Sequence, residues 1–67
     1  MNSSWVKIYT SNQFMKSEIV RQVLVDHEME AVLMNKQDTA YKFGEVEVYI
    51  PKEHFDKALE IIIQNDL

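Results

Sequence analysis

The sequence predicts an α+β fold with elements in the order β-α-β-β-α, because its hydrophobic period changes four times within 67 residues. Side chains repeat every two residues on a strand and every 3.6 residues on a helix. Apolar residues alternate by twos or form short runs in three segments, and they step by threes and fours in two others. The composition is 46% hydrophobic, which excludes a disordered chain.

The first strand is predicted over Trp5–Thr10, where Val6 and Ile8 share one side. Ser11 or Asn12 is expected to cap the first helix, since a short side-chain oxygen can accept a free backbone N–H of the first turn. The helix is expected to run to about Asp26–Glu28 and to bury Phe14, Ile19, Val20, Val23 and Leu24.

The second and third strands are predicted at about Glu30–Asn35 and at Glu45–Ile50. The polar connection Lys36–Gly44 is slightly longer than a tight hairpin and contains the single glycine. Pro51 is expected to end the third strand, because proline cannot donate to a ladder. The second helix is predicted over about Glu53–Asn65.

A right-handed β-α-β crossover leaves room for another strand between its two parallel strands. The third strand arrives by a hairpin and can fill that gap antiparallel to both. The sequence therefore predicts a ferredoxin-like two-layer sandwich in strand order 1-3-2, with both helices on one face. The fourth strand usual for this fold is expected to be missing, because only four residues follow Ile63. The helix-covered face is expected to carry Val6, Ile8, Ala31, Leu33, Val46 and Val48.

Two features of this arrangement indicate a working surface. The outer edge of the first strand has no neighbour, and the helix-free face of the sheet is partly apolar. Edges and apolar faces of this kind are usually covered by another molecule, although an antiparallel sheet can also face water in a monomer. Lys7 is placed to pair with Glu47 across the sheet. The candidate interaction surface consists of Trp5, Lys7, Tyr9, Val32, Met34, Glu47 and Tyr49.

The charge and the apolar runs restrict the partners. A net charge of −4 disfavours nucleic acid and anionic membranes, because each would be repelled. Tyr9 and Tyr49 would suit base stacking, but glutamates flank Tyr49. The run Ile61–Ile63 is too short to span a bilayer, and Met1–Ser4 has no features of a leader. We expect a cytoplasmic protein with one domain over residues 1–67 and an ordered core over about 5–65.

No catalytic residue, cofactor or metal ligand is predicted. His27 and His54 lack the four-residue spacing of a helical two-histidine site, and the chain has no cysteine. Glu30, Glu45 and Glu47 are expected on the helix-free face, but acid–base chemistry needs a cleft that shifts one pKa. A three-stranded sheet offers only a shallow surface, so we interpret these carboxylates as solvated.

Segments along nearly the whole chain carry a resemblance to a known family. They are Val6-Lys-Ile-Tyr-Thr-Ser, Ser17-Glu-Ile-Val, Met29-Glu-Ala, Gly44-Glu-Val and Phe55-x-Lys-Ala-Leu. The pattern resembles a family of small prokaryotic domains of unknown function that are described as signal-transducing proteins. The resemblance implies a ferredoxin-like or PII-like arrangement and a signalling role, and it provides no site residues to carry over.

Two positions depart from the family pattern. Ser17 stands where the family tends to have alanine, and Glu28 stands where it tends to have glycine just past the first helix. A residue other than glycine must adopt a left-handed cap there at some cost, or the helix must end differently. The stretch 36–44 is also too short for the ligand-gripping loop of PII regulators.

The leading hypothesis is a non-enzymatic interaction or regulatory module that uses the helix-free face and the edge strand, with a protein partner or a second copy as the ligand. The alternative is a small-molecule sensor that binds a metabolite at the same face and the 36–44 loop. An enzyme ranks third, because no catalytic constellation is visible in the residues.

Overall fold

The fold is described from a computed structural model, which covers residues 4–38, 40 and 43–67. Residues 39, 41 and 42 of the predicted 36–44 connection lie outside the described residues. The predicted order of elements is confirmed. The elements are β1 (Trp5–Ser11), α1 (Phe14–Asp26), β2 (Val32–Asn35), β3 (Val46–Pro51), a 3-10 helix (Lys52–His54) and α2 (Phe55–Gln64).

The three strands form one antiparallel sheet in the order β1-β3-β2, which confirms the predicted topology. Both helices pack on the face that carries Val46, Val48 and Ile50, and all three side chains are fully buried. None of the helices in the described residues packs on the other face of the sheet. The core cluster consists of Val20, Leu24, Met29, Val48, Ile50, Ala58, Ile61 and Ile62.

A β-bulge in β1 changes which side chains share a face. Lys7 pairs with Tyr49 and Tyr9 pairs with Val48, so Ile8 and Tyr9 together oppose one residue. The alternation shifts by one at this point, and Tyr9 packs against the core on the helix-covered face. The prediction that Tyr9 lies on the helix-free face is therefore wrong, because it assumed a strict two-residue period along the whole strand.

The buried stripe of α1 is narrower than predicted. Ser17, Val20 and Leu24 are buried, whereas Phe14 and Ile19 are 43% and 47% exposed. The prediction of a buried Phe14 and Ile19 is wrong, because the face turned to the sheet follows the spacing of 17, 20 and 24. Ile19 precedes Val20 by about 100° around the helix and lies beside this stripe.

The start of α1 also differs from the prediction. Gln13 occupies the N-cap without a side-chain cap bond, in place of Ser11 or Asn12. Ser11 lies in β1 instead, and its Oγ is 2.8 Å from the Oγ of Ser17. Ser17 donates in turn to the carbonyl oxygen of Val46 at 2.7 Å. These hydroxyls join the beginning of α1 to the beginning of β3 inside the core.

Both helices end in a Schellman motif closed by an acidic residue. Glu28 has a φ of 65°, its N–H donates to the carbonyl of Val25 at 2.9 Å, and the N–H of Met29 donates to that of Leu24 at 3.1 Å. The second helix ends in the same way at Asp66, with a φ of 57°. The left-handed cap considered for Glu28 is thus observed, and it places Met29 in the core.

Gly44 allows the β2–β3 connection to close tightly. The N–H of Lys36 donates to the carbonyl of Glu45 at 2.8 Å, so the ladder extends one pair beyond β2. Gly44 has a φ of 122°, and a Cβ atom there would lie 2.8 Å from the carbonyl oxygen of Lys36. Only glycine fits both the backbone angle and the contact.

Candidate functional site: the helix-free face of the sheet

We call the face opposite the helices the open face, and it brings together six of the seven predicted interaction residues. The register places Lys7, Tyr49 and Val32 in one row across the sheet, with Thr10, Glu47 and Met34 in the next. Trp5 lies at the edge beside Pro51. Tyr9 is absent from this face because of the bulge. A glutamate substituted for Tyr9 would therefore enter the helix-covered side of the sheet, where it would destabilise the fold.

Glu47 lies at the centre of the open face and is only 5% exposed. The hydroxyl of Tyr49 donates to its Oε1 at 2.8 Å. The Nζ atoms of Lys36 and Lys7 lie 3.2 Å and 3.4 Å from its carboxylate oxygens. The predicted Lys7–Glu47 pair is confirmed. Tyr49 was predicted on this face but not as a partner of Glu47, and Lys36 was not predicted at all. Lys36 directly follows β2, so extending the hairpin register by one pair would have placed it next to this face.

The surroundings of Glu47 hold it in the charged form. Its pKa lies below the usual value, chiefly because the Tyr49 hydroxyl donates to the carboxylate, with Lys36 and Lys7 adding to the effect against the opposing effect of burial. The contact with Glu47 in turn raises the pKa of Lys36. A carboxyl group that serves as a general acid needs a raised pKa. Glu47 is instead a stable anion that organises its neighbours.

An apolar concavity of about 400 Å³ lies beside this ionic cluster. Its lining consists of Trp5, Val32, Met34 and Tyr49. Trp5 is 42%, Val32 48% and Met34 45% exposed, so water reaches roughly half of each side chain. The open face thus combines an exposed apolar hollow with a carboxylate that is fully paired.

The charges of the ionic cluster on the open face balance. Lys7 and Lys36 oppose Glu47 and Glu45, and Thr10 donates to Glu45 at 3.0 Å. Two cations and two anions cancel within this ionic cluster, whereas the chain carries a net charge of −4. The ionic cluster of the open face is therefore balanced on an acidic protein.

The histidines lie together at the opposite layer of the molecule. His27 is the C-cap of α1, with its Nδ1 2.9 Å from the carbonyl oxygen of Val23, and His54 ends the 3-10 helix. Both line a hollow of about 250 Å³ that also touches Lys57. Within the described residues, no group of three or more His, Cys, Asp or Glu side chains is arranged to hold a metal ion.

Tyr9 and Tyr49 do not lie on the same face of the sheet, as base stacking on both rings would require. Tyr9 pairs with Val48 and packs against the core, whereas Tyr49 lies on the open face with its hydroxyl bonded to Glu47. None of the helices in the described part of the chain has the length and apolar content needed to cross a membrane.

Comparison of the chain with family models, curated proteins and solved structures found no match. The resemblance to the signal-transducing family therefore stays a prediction, and the function is proposed from the geometry of this chain.

Proposed function

We propose that the protein is a non-enzymatic regulatory interaction module that associates with a second copy of itself through the open face. The observation that carries the proposal is the exposed hollow of Trp5, Val32, Met34 and Tyr49 beside the buried, paired Glu47. Aromatic and methionine side chains are enriched in the cores of protein interfaces, whereas Lys, Glu and Asp are depleted there.

The charge distribution favours a second copy as the occupant. A two-fold contact brings identical patches together, so a patch with a net charge would repel itself. The ionic cluster around Glu47 has balanced charges, whereas the chain as a whole carries −4. Within this cluster the charges of two acidic copies would not oppose association.

The Glu47 cluster makes this face suitable for burial. Removing a charged group from water is costly unless it is paired and hydrogen-bonded. Tyr49, Lys36 and Lys7 already meet that requirement in the single chain. Glu47 would therefore add no unpaired charge to the contact, and a second copy would have to desolvate the exposed parts of Lys7, Lys36 and Glu45, the two lysines having 44% and 53% of their side chains accessible.

Light scattering coupled to size exclusion tests this proposal. We expect a mass near twice the 7.9 kDa of the chain, falling towards one chain on dilution. Val32→Glu should reduce the mass to that of a monomer, because it places an unpaired carboxylate in the hollow. Met15→Glu is the matched control, since Met15 is 65% exposed on α1 and should leave the mass unchanged. A monomeric wild-type protein at high concentration would contradict the proposal.

A small-molecule sensor is the second candidate, and the hollow is the observation that favours it. Ligand pockets commonly enclose about 300–1,000 Å³ and are lined mainly by apolar and aromatic groups, and this hollow of about 400 Å³ lies in that range. A thermal-shift screen with amphipathic metabolites tests it, since a ligand that binds only the native state raises the melting temperature. A hit lost in Val32→Glu but kept in Met15→Glu would favour the sensor.

A further inference from the structure

We propose that a hollow on the helix side of the sheet binds a free α-amino acid with an apolar side chain of about the size of leucine. The hollow encloses about 270 Å³ between α1, the residues that follow α2, and β1. Its lining consists of Tyr9, Lys16, Ile19, Val20, Asp66 and Leu67. This site is separate from the open face, so the inference does not depend on the proposed self-association.

Two backbone features place the walls contributed by β1 and by the end of α2. The bulge at Ile8 turns Tyr9 to the helix-covered side, where its ring is half-buried against the core. The left-handed turn at Asp66, with a φ of 57°, folds the chain back after α2. The N–H of Leu67 then donates to the carbonyl of Ile62 at 3.0 Å, and Leu67 packs against the core cluster. Both walls are therefore fixed by the backbone.

The wall contributed by α1 is anchored in the core and is apolar. Val20 is 1% exposed, and Ser17, the neighbour of Lys16, donates to the carbonyl oxygen of Val46 at 2.7 Å. Ile19 lies beside Val20 and is 47% exposed, so it presents apolar surface to the hollow. This wall and Leu67 together offer an aliphatic side chain a surface that is already in place.

Three polar groups at the hollow have no partner among the described residues. They are the hydroxyl of Tyr9, the ammonium of Lys16 and the carboxylate of Asp66. Lys16 and Asp66 have opposite charges and line the same hollow, yet they form no ion pair with each other. A ligand with a carboxylate for Lys16 and an ammonium group for Asp66 would pair both, and the Tyr9 hydroxyl can donate to the same carboxylate.

The two charges have the signs that do not stabilise the adjacent helix ends. Lys16 lies in the first turn of α1, where an anion is favoured, and that turn contains no acidic residue. Asp66 follows the C-cap of α2, where a cation is favoured, and the last turn of α2 contains no basic residue. A bound amino acid would bring a carboxylate to the positive end of α1 and an ammonium group to the negative end of α2.

The size and charge of the hollow restrict the ligand further. An apolar cavity of about 150 Å³ binds benzene, so a hollow of about 270 Å³ accommodates an amino acid with a branched aliphatic side chain. One lysine and one aspartate match a ligand that has one charge of each sign. A zwitterion has no net charge, so the net charge of −4 on the chain does not repel it, as it would a dicarboxylate.

An NMR titration of isotope-labelled protein with L-leucine tests the proposal. We expect saturable shifts of the backbone amides of Tyr9, Val20 and Leu67. Isocaproate lacks the ammonium group of leucine and isoamylamine lacks its carboxylate, so each should bind at least about tenfold more weakly. Glycine keeps both charges without the side chain and should also bind more weakly, because it leaves the apolar wall uncovered.

Substitutions at the two charges should change the selectivity as well as the affinity. Lys16→Gln should bind leucine about as weakly as the wild type binds isoamylamine. Asp66→Asn keeps a residue that tolerates the left-handed turn, and it should bind leucine about as weakly as the wild type binds isocaproate. Lys52→Gln and Asp56→Asn are the matched controls, since both residues are exposed outside the lining, and they should bind leucine like the wild type.

Three results would overturn the proposal. They are leucine-induced shifts that are absent from the hollow or confined to Val32 and Met34, equal affinities for leucine, isocaproate and isoamylamine, and equal affinities of Lys16→Gln and Lys52→Gln for leucine. Val32→Glu should keep the affinity for leucine while losing self-association, so the two proposals can fail separately.

Discussion

The two faces of β3 are both closed to water, but by different chemistry. On the helix-covered side, Val46, Val48 and Ile50 have no accessible surface. On the open side, Glu47 is 5% exposed, although neither of the described α-helices covers it. Packing of helices explains the first face, whereas the second is shielded by Lys7, Lys36 and the ring of Tyr49.

Burial therefore has different consequences on the two faces. An apolar core side chain stabilises in proportion to the area it removes from water. A paired carboxylate contributes little net stability, because desolvation offsets the attraction, yet it fixes the positions of the groups around it. We therefore expect truncation of apolar side chains on the helix-covered face to change folding, and substitution of the apolar side chains on the open face to change association.

The largest effect is expected from Leu24→Ala, compared with Val32→Ala. Leu24 is fully buried, so its truncation should lower the free energy of unfolding by about 2–5 kcal/mol, while Val32→Ala should cost less than about 1 kcal/mol. Urea unfolding followed by circular dichroism measures both values. Similar losses of unfolding free energy in the two variants would contradict the distinction between the two faces.

Gly44→Ala should have the next largest effect, because Gly44 fixes the register of both faces through the β2–β3 connection. Its φ of 122° disfavours any side chain, and the added Cβ would meet the Lys36 carbonyl oxygen at 2.8 Å. We expect a loss of about 1–3 kcal/mol in unfolding free energy. A variant as stable as the wild type in the same urea titration would show that the connection can relax.

The contribution of Glu47 to the open face can be measured by comparing the stability of the wild type and Glu47→Gln as a function of pH. The pKa of Glu47 is lowered in the folded state, so its contribution is fully present above the unfolded value of about 4.3 and is lost as the pH falls through the folded pKa. The wild type should therefore be the more stable form at pH 6, and the difference should shrink below about pH 4.3. Thermal unfolding from pH 6 to pH 3 measures this difference. Glu18→Gln is the comparison on the helix surface, and because Arg21 lowers the pKa of Glu18 as well, it should show a difference of the same sign. A difference that is independent of pH would contradict the assignment.

The smallest effect, and one of opposite sign, is expected from Glu28→Gly. Glu28 adopts a φ of 65°, a conformation that is costly for any residue with a Cβ atom, and glycine adopts it freely. We expect a gain of about 0.5–1 kcal/mol after the loss of chain entropy is included. Glu30→Gly, just outside the cap, is the matched control and should give no gain.

The sequence predicted the architecture because its hydrophobic period follows the faces of the elements. The order of elements, the central position of β3 and the Lys7–Glu47 pair are all observed. The bulge at Ile8 could not be predicted, because the segment around it reads as an uninterrupted alternation. Its position is set by pairing with β3, which is a long-range property, and it changed the face of Tyr9.

The candidate site was predicted less completely than the fold. Its apolar members follow from the alternation of β2 and β3, but the burial of Glu47 depends on Lys36, which lies outside both predicted strands. The exposure of Phe14 and Ile19 depends on the angle at which α1 crosses the sheet. The burial of Ser17 depends on its hydrogen bond to the carbonyl oxygen of Val46. Each is decided by tertiary packing and has no local sequence signal.

The most direct test of the central claim is an isotope-filtered NMR experiment on a mixture of labelled and unlabelled protein, which detects only contacts between two copies. We expect intermolecular contacts among the indole of Trp5, the methyl groups of Val32 and Met34, and the ring of Tyr49. Intermolecular contacts that involve only Leu59 and Ile63 of the helix layer would contradict the proposed interface. So would the absence of intermolecular contacts at a concentration where the wild type is a dimer.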